Sequence, residues 1–415
     1  MAGILFATPG CDKAPQPTAE VVTAPPLDDG RIPTTAIDPH TGAVYVAFFR
    51  TDGAATNVYL ARKDRAEAAW HAPVRVSSGA EDANPHAQAP PQLAVGPQGQ
   101  VYVAWTNAIP IEGRRFAASN LYLARSTDGG QTFSPRQAVN TDAAGLPASH
   151  TFHDLAVGPD GTIYVTWLDS RAKDREQAKH AGKVPVRPAS LSAPYRHEVG
   201  SEVWMAVSHD EGRTFREAVV AKNTCECCRT SVEVAADNTV YVAWRHRFPN
   251  GERDIALASS SDGGTTFSDP VRVHADGWAI EGCPHTGPSL AVDTDNRIHI
   301  AWYTGAASNP ALYYTISEDG GRTFAPPQTL AAGVPVSQVK LGGNRHARIW
   351  VAWEDATTGH IRVAYTNDGA PLAEVVHADL PVNSPAIAAV DGRWILAGQV
   401  EDRLRVVLGA GGTDE

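Results

Sequence analysis

One pattern of apolar and polar positions recurs along the chain at intervals near fifty residues. A β-branched and aromatic run appears as Val44-Tyr45-Val46-Ala47-Phe48, Val101-Tyr102-Val103-Ala104-Trp105, Ile163-Tyr164-Val165-Thr166-Trp167 and Val240-Tyr241-Val242-Ala243-Trp244. It continues as Ile298-His299-Ile300-Ala301-Trp302, Ile349-Trp350-Val351-Ala352-Trp353 and, more weakly, Trp394-Ile395-Leu396-Ala397-Gly398. Before each run stands a short apolar segment and a turn rich in Gly, Asp, Asn or Pro, such as Gly158-Pro159-Asp160-Gly161. Such a unit predicts strand, tight hairpin, strand. A repeat of this length cannot bury its own apolar face and must stack against its neighbours.

A third predicted strand leads into a sharper signature. It reads Ser126-Thr127-Asp128-Gly129-Gly130-Gln131-Thr132-Phe133, and recurs around Asp210, Asp262 and Asp319 with the same Ser, Asp, Gly, Thr and Phe spacing. The chemistry is that of a turn: the carboxylate accepts local backbone N–H groups, glycine permits positive φ, and the aromatic packs back between sheets. Asp128, Asp210, Asp262 and Asp319 are therefore structural. Four strands per repeat predict an all-β propeller of antiparallel blades. Six blades are legible between residues 31 and 380. Three further strands near 386–390, 393–399 and 403–408 predict a seventh, completed by Glu20-Val21-Val22-Thr23 from the N-terminal end, with six blades as the alternative. Residues 18–412 then form one domain, and residues 1–17 a flexible tail.

The candidate chemistry lies just ahead of the first strands. Counting back six residues from Gln92, Asp154, Ser231 and Ser289 gives His86, Ala148, Cys225 and Cys283, and counting back four gives Gln88, His150, Cys227 and His285. In an extended chain, residues two apart point to the same side. The segments ahead of first strands ring one mouth of the central channel, opposite the Asp turns. The expectation is thus a soft-metal site of His86, His150, Cys225, Cys227, Cys283 and His285, with copper fitting best and zinc next. Copper implies redox chemistry or copper handling, and zinc implies hydrolysis. His153, Cys228 and Arg229 stand at other offsets and are expected as outer support. The loops after the second strands add Asp169, Arg171, Arg245 and His246 as catalytic candidates. A long third-blade segment, roughly 168–200, carries His180, Tyr195, His197 and Glu198 and is expected to form a lid. The competing reading is disulfide staples from Cys225 or Cys227 to Cys283.

The chain has 415 residues, 43% hydrophobic and 20% charged, with a net charge of −11. That charge argues against nucleic acid and anionic membranes as partners. No apolar run reaches the roughly 20 residues of a membrane-spanning helix. Ile4-Leu5-Phe6-Ala7 followed by Gly10-Cys11 and a proline-rich stretch resembles the end of a bacterial lipoprotein signal, which implies export to the periplasm or cell surface and a lipid anchor at Cys11. A monomer is expected.

The Ser-x-Asp-x-Gly-x-Thr-Phe turns resemble the Asp boxes of the BNR or sialidase-like β-propellers, over most of the chain. Arg31-Ile32-Pro33 is similar to the sialidase Phe/Tyr-Arg-Ile-Pro motif, with Gly30 where the family has an aromatic residue. The resemblance implies that Arg31 binds a substrate carboxylate as one of three arginines. No motif marks the other two arginines, the tyrosine nucleophile or the acid/base aspartate; Arg50, Arg171, Arg229 and Arg245 are candidates by location alone. Three function classes follow: a copper-dependent redox or copper-binding protein, a sialidase-like glycoside hydrolase acting on a glycan at the channel face, and a non-catalytic glycan- or protein-binding scaffold.

Overall fold

A computed structural model describes residues 18–22, 27, 29–67, 69–79, 83–112, 117–142, 148–180, 200–280, 282, 284–333, 338–343, 348–355, 357–366, 373–377, 383–401 and 403–410. Seven four-stranded antiparallel sheets make a seven-bladed propeller. The inner strands of blades 1 to 7 are Arg31–Ile37, Gln92–Val95, His150–Val157, Ser231–Val234, Ser289–Val292, Val339–Gly342 and Asn383–Val390. The ring closes as the N-terminal segment predicts. Strand Thr18–Val22 pairs antiparallel with Arg403–Ala410 and becomes the outer strand of blade 7. Seven blades therefore replace the six-blade alternative, because the final three strands lack an outer edge partner until the N-terminal strand supplies it.

The alternating β-branched and aromatic runs form the second strands, and both of their faces are buried. Val46 and Phe48 pack with Ile395 and Ala397, which joins blade 1 to blade 7. Among the described residues the apolar core divides into seven such clusters, one per pair of neighbouring blades. Trp105, Trp167, Trp244, Trp302 and Trp350 are fully buried wedges in them.

Each Asp box is a closed hydrogen-bond unit. The Asp128 Oδ1 accepts the amides of Gln131 and Thr132 at 3.0 and 2.9 Å, and Oδ2 accepts the Thr132 hydroxyl at 2.6 Å. Ser126 Oγ accepts the Gly130 amide at 2.7 Å. The second glycine also sets blade spacing. At Gly264, where φ is +76°, an added Cβ would stand 2.9 Å from Val207 Cγ2 and 3.0 Å from Met205 Sδ of blade 3.

Inner strands present an unpaired backbone edge to the channel, and side chains from the preceding blade satisfy part of it. Asp154 Oδ2 accepts the Val232 amide at 3.0 Å, Ser231 Oγ accepts the Leu290 amide at 3.1 Å, and Ser289 Oγ accepts the Leu341 amide at 2.9 Å. Blades 3 to 6 are stapled in sequence by one register position.

The third-blade insertion differs from the expected loop in its first part. Arg171–His180 is an α-helix of strong helix-forming residues. Asp169 Oδ1 accepts the Arg171 amide at 2.8 Å and the Ser170 carbonyl accepts the Asp174 amide at 2.8 Å, which caps it. Tyr195, His197 and Glu198 lie outside the described residues, as do Cys11 and Cys283. Among the described residues no helix is long and apolar enough to cross a membrane.

Candidate metal centre

Strand Arg216–Thr224 of blade 3 is followed by Cys225-Glu226-Cys227-Cys228, which turns before the inner strand of blade 4 begins. Backbone contacts fix that turn at both ends. The Cys225 amide donates to the Arg245 carbonyl at 3.0 Å, and the Thr230 amide donates to the Phe152 carbonyl at 3.0 Å. Lys173 of the helix forms an ion pair with Glu226.

The turn gathers three sulfurs. Cys225 Sγ lies 3.7 Å from Cys227 Sγ and 3.8 Å from Cys228 Sγ, and the last two are 4.0 Å apart. All three are free thiols, exposed by only 1%, 4% and 1%. At a metal–sulfur distance near 2.3 Å, sulfurs on one ion stand about 3.8 Å apart if tetrahedral and about 4.0 Å if trigonal. The triangle matches a shared ion. Cys228, expected to point elsewhere, is a full member, because a tight turn brings i, i+2 and i+3 together where an extended strand would separate them.

Charge around the sulfurs favours one thiolate. Cys227 and Cys228 share their protons with Cys225, and Arg253 and Arg245 lie nearby, so its thiol falls well below the ordinary range. The same sharing raises Cys227, and burial pushes Cys228 up to about 12. Arg253 Nη1 is 3.5 Å from Cys225 Sγ. Arg253 had no signal in the sequence beyond its place after the second strand of blade 4.

Among the described residues the three expected imidazoles stand outside the sulfur group, and Cys283 lies beyond the described residues. His150 turns into the seam between blades 2 and 3, where its Nδ1 meets the Ser119 carbonyl at 2.6 Å and its Nε2 lies 3.0 Å from Asp142 and 3.6 Å from Asp169. Burial opposes its protonation, but the Asp142 bond and the Asp169 charge outweigh it and raise its pKa. The reason is a bulge between Thr151 and Asp154, with Phe152 at φ +58°, which breaks the period of two. His285 is also left-handed, at φ +50°, and is exposed. Burial, and then the neighbouring His285, lower the pKa of His86, which uses Nδ1 to accept the Gln88 amide at 3.1 Å and meets the Phe152 ring edge-on. Neither imidazole joins the sulfur group. His153 is fully buried in the seam with blade 2, its Nε2 3.2 Å from the Ala104 carbonyl, and burial pushes its pKa down to about 4.

The catalytic candidates are bound up in the scaffold. Arg171 Nε reaches both Asp169 oxygens at 3.0 and 2.9 Å, Nη1 donates to Glu217 at 3.1 Å, and the guanidinium stacks 4.0 Å over Trp204. Arg245 donates to the carbonyls of Thr286, Arg253 and Tyr303 at 3.1, 2.7 and 2.7 Å. His246 Nδ1 accepts the Trp244 indole N–H at 3.2 Å. Arg229 crosses the channel, donating to Gln338 and to the Val339 carbonyl of blade 6 and lying 3.5 Å from Gln88 of blade 2. Arg50 pairs with Asp52 at 3.0 Å, and Arg31 Nη2 donates to Thr51 at 2.5 Å. These arginines are spread over blades 1, 3 and 4, and each is held by protein partners. A second group, Asp64, Glu67 and His71, is a more exposed surface ion-pair cluster tied to Arg62.

Comparison with known proteins agrees with the architecture. A family model described as a BNR repeat-like domain matches residues 42–276. A protein of unknown function from Dyadobacter fermentans DSM 18053 superposes with a TM-score of 0.53 at 13% identity, over 96% of this chain and 99% of that one. An ulvan lyase of polysaccharide lyase family PL25, bound to -[GlcA(1-4)Rha3S]-, gives 0.55 at 13% over 93% and 95%. The Hadza microbial sialidase Hz136 gives 0.50 at 14% over 86% and 73%. At such identities the likeness is one of fold. A search of curated proteins found no match.

Proposed function

The chain belongs to the BNR repeat-like domain family, and from that premise we propose that this propeller binds a thiophilic metal ion through Cys225, Cys227 and Cys228, copper(I) first and zinc second. The observation that carries the reading is the sulfur triangle, with sides of 3.7, 3.8 and 4.0 Å built from three buried, free thiols. An all-thiolate donor set selects copper(I) or zinc over harder ions. The near-complete burial of the sulfurs suits holding an ion more than turning over a substrate at it. Export fits the same reading. In an oxidising compartment three adjacent thiols pair up unless something holds them, and a bound ion does so.

The test is metal content and affinity on protein purified under reducing, chelator-free conditions without a nickel column. One copper(I) or zinc per chain is expected, lost in Cys225→Ser and Cys228→Ser while circular dichroism stays unchanged. Equal metal content in wild type and both variants overturns the reading, as does a protein whose three thiols titrate freely with no ion bound.

A second reading, sialidase-like or lyase-like action on a glycan, draws on the sialidase and the ulvan lyase of similar fold. It is the weaker one. Arg31 occupies the motif position, yet Arg50, Arg171, Arg229 and Arg245 are each committed to protein partners. Hydrolysis of a sialoside by the wild type, lost in Arg31→Ala, would favour it over metal holding.

A further inference from the structure

Beneath the Arg229 crossing, the channel opens into a cavity of about 680 Å³ lined by all seven inner strands. Its ceiling is firmly built. Arg229 of blade 4 bonds Gln338 and Val339 of blade 6, Gln338 Nε2 donates to the Ala87 carbonyl of blade 2 at 3.1 Å, and Gly287 of blade 5 packs so closely that an added Cβ would stand 2.3 Å from the Arg229 carbonyl. The cavity continues to the opposite rim, where Pro39, Pro97, Pro159 and Gly343 line it.

Inside, one register position repeats around the ring, opposite the fourth residue of each second-strand run. Four of its polar side chains are committed to adjacent blades. Gln92 donates to the His153 carbonyl at 3.2 Å, and Asp154, Ser231 and Ser289 accept amides. Blade 6 places Lys340 at that level, opposite Ala352. Blade 4 places Glu233 two residues deeper, where blades 1, 2, 3, 5 and 7 carry alanine and blade 6 carries glycine. Both line the cavity, and neither has a hydrogen-bond or ion-pair partner among the described residues. Burial, and then the Asp154 charge, push Glu233 up to about 8; burial, and then Arg229, push Lys340 down to about 8. Each feels the other's charge, and Lys340 that of Asp154 as well, but without a direct ion pair these charges only partly offset burial.

The mixture of signs selects the ligand. A simple anion meets the Asp154 and Glu233 carboxyls, and a simple cation meets Lys340 and Arg229. We propose that the channel is a binding site for a small zwitterion, an α-amino acid, with its carboxylate on Lys340 and its ammonium on Glu233. Such a ligand supplies each group with the opposite charge in a space walled by protein, where charge-assisted hydrogen bonds are strong. The site is independent of the thiols.

The experiment is isothermal titration of the full chain with a panel of α-amino acids at millimolar concentration, beside propionate and propylamine as single-charge probes. At least one amino acid is expected to bind, with both single-charge probes silent. Glu233→Gln and Lys340→Met should each weaken binding by about tenfold or more, while Cys225→Ser leaves it unchanged. Should Lys340→Met fail to fold, the near-isosteric Glu233→Gln decides alone. No heat from any amino acid, equal binding of propionate or propylamine, or wild-type affinity in Glu233→Gln overturns the proposal.

Discussion

Arg253 sets one guanidinium nitrogen 3.5 Å from the Cys225 sulfur and 2.7 Å from the Gly282 carbonyl oxygen. Two further bonds close a circuit. The Arg253 carbonyl accepts from Arg245 Nη1 at 2.7 Å, and the Arg245 carbonyl accepts the Cys225 amide at 3.0 Å. Arg245 thus fixes the backbone of the cysteine turn, and Arg253 supplies positive charge to its sulfur.

Three thiolates with one copper(I) carry two net negative charges, and a nearby guanidinium offsets part of that. Arg253→Met is therefore expected to weaken copper(I) binding by about tenfold, in line with a hydrogen bond to a charged group. Competition titration against a copper(I) chelator measures it, and the sulfur-to-metal absorption band should shift as well. Arg253→Lys should recover part of the loss. Wild-type affinity and spectrum in Arg253→Met would show that the guanidinium is only a strut.

The Asp-box glycines test blade packing. Gly264→Ala introduces a methyl group 2.9 Å from Val207 in addition to the strain of φ +76°, and should destabilise by about 2 kcal/mol. The adjacent Gly263→Ala carries similar strain at φ +68° with nothing within 4 Å, and should cost about 1 kcal/mol. Urea denaturation of the two variants separates packing from backbone strain. Equal losses would remove the packing argument.

Acid stability follows from the same turns. Thr214 and Thr266 hold Asp210 and Asp262 well below the ordinary carboxylate range, and the Thr323 hydroxyl holds Asp319 at about 2. At Asp128 burial works the other way, but Ser126 and Thr132 outweigh it and bring its pKa to about 2. Folded pKa values below the unfolded value of about 4 mean that this stabilisation is complete above pH 4 and is lost as pH falls towards 2. The urea midpoint should therefore drop steeply from pH 4 to pH 2, and less steeply in Asp128→Asn. A flat profile over that window would contradict the assignment.

The blades were legible because their signals are local. A hairpin needs its alternation and its turn within about fifteen residues, and an Asp box needs only eight. Even the closing strand could be read, since Glu20-Val21-Val22 matches outer strands elsewhere and the last blade lacks one. Glu233 was also open to reading, because it interrupts a ring level of alanine and glycine.

The sequence by itself determined the propeller, its structural Asp boxes and the presence of cysteines ahead of the fourth inner strand, and favoured seven blades over six. Only the tertiary structure decided which residues meet. Equal offsets did not carry equal directions, because the bulge at Phe152 turned His150 into the seam between blades 2 and 3, and the turn at 225–228 drew Cys228 in with Cys225 and Cys227. Arg253 reached the sulfur, and Arg229 crossed from blade 4 to blade 6, over distances of 28 and more than 100 residues. Periodicity reports which face a residue takes along a regular strand. A site built from turns and from contacts between blades depends on φ, ψ and closure of the ring, which no local period encodes.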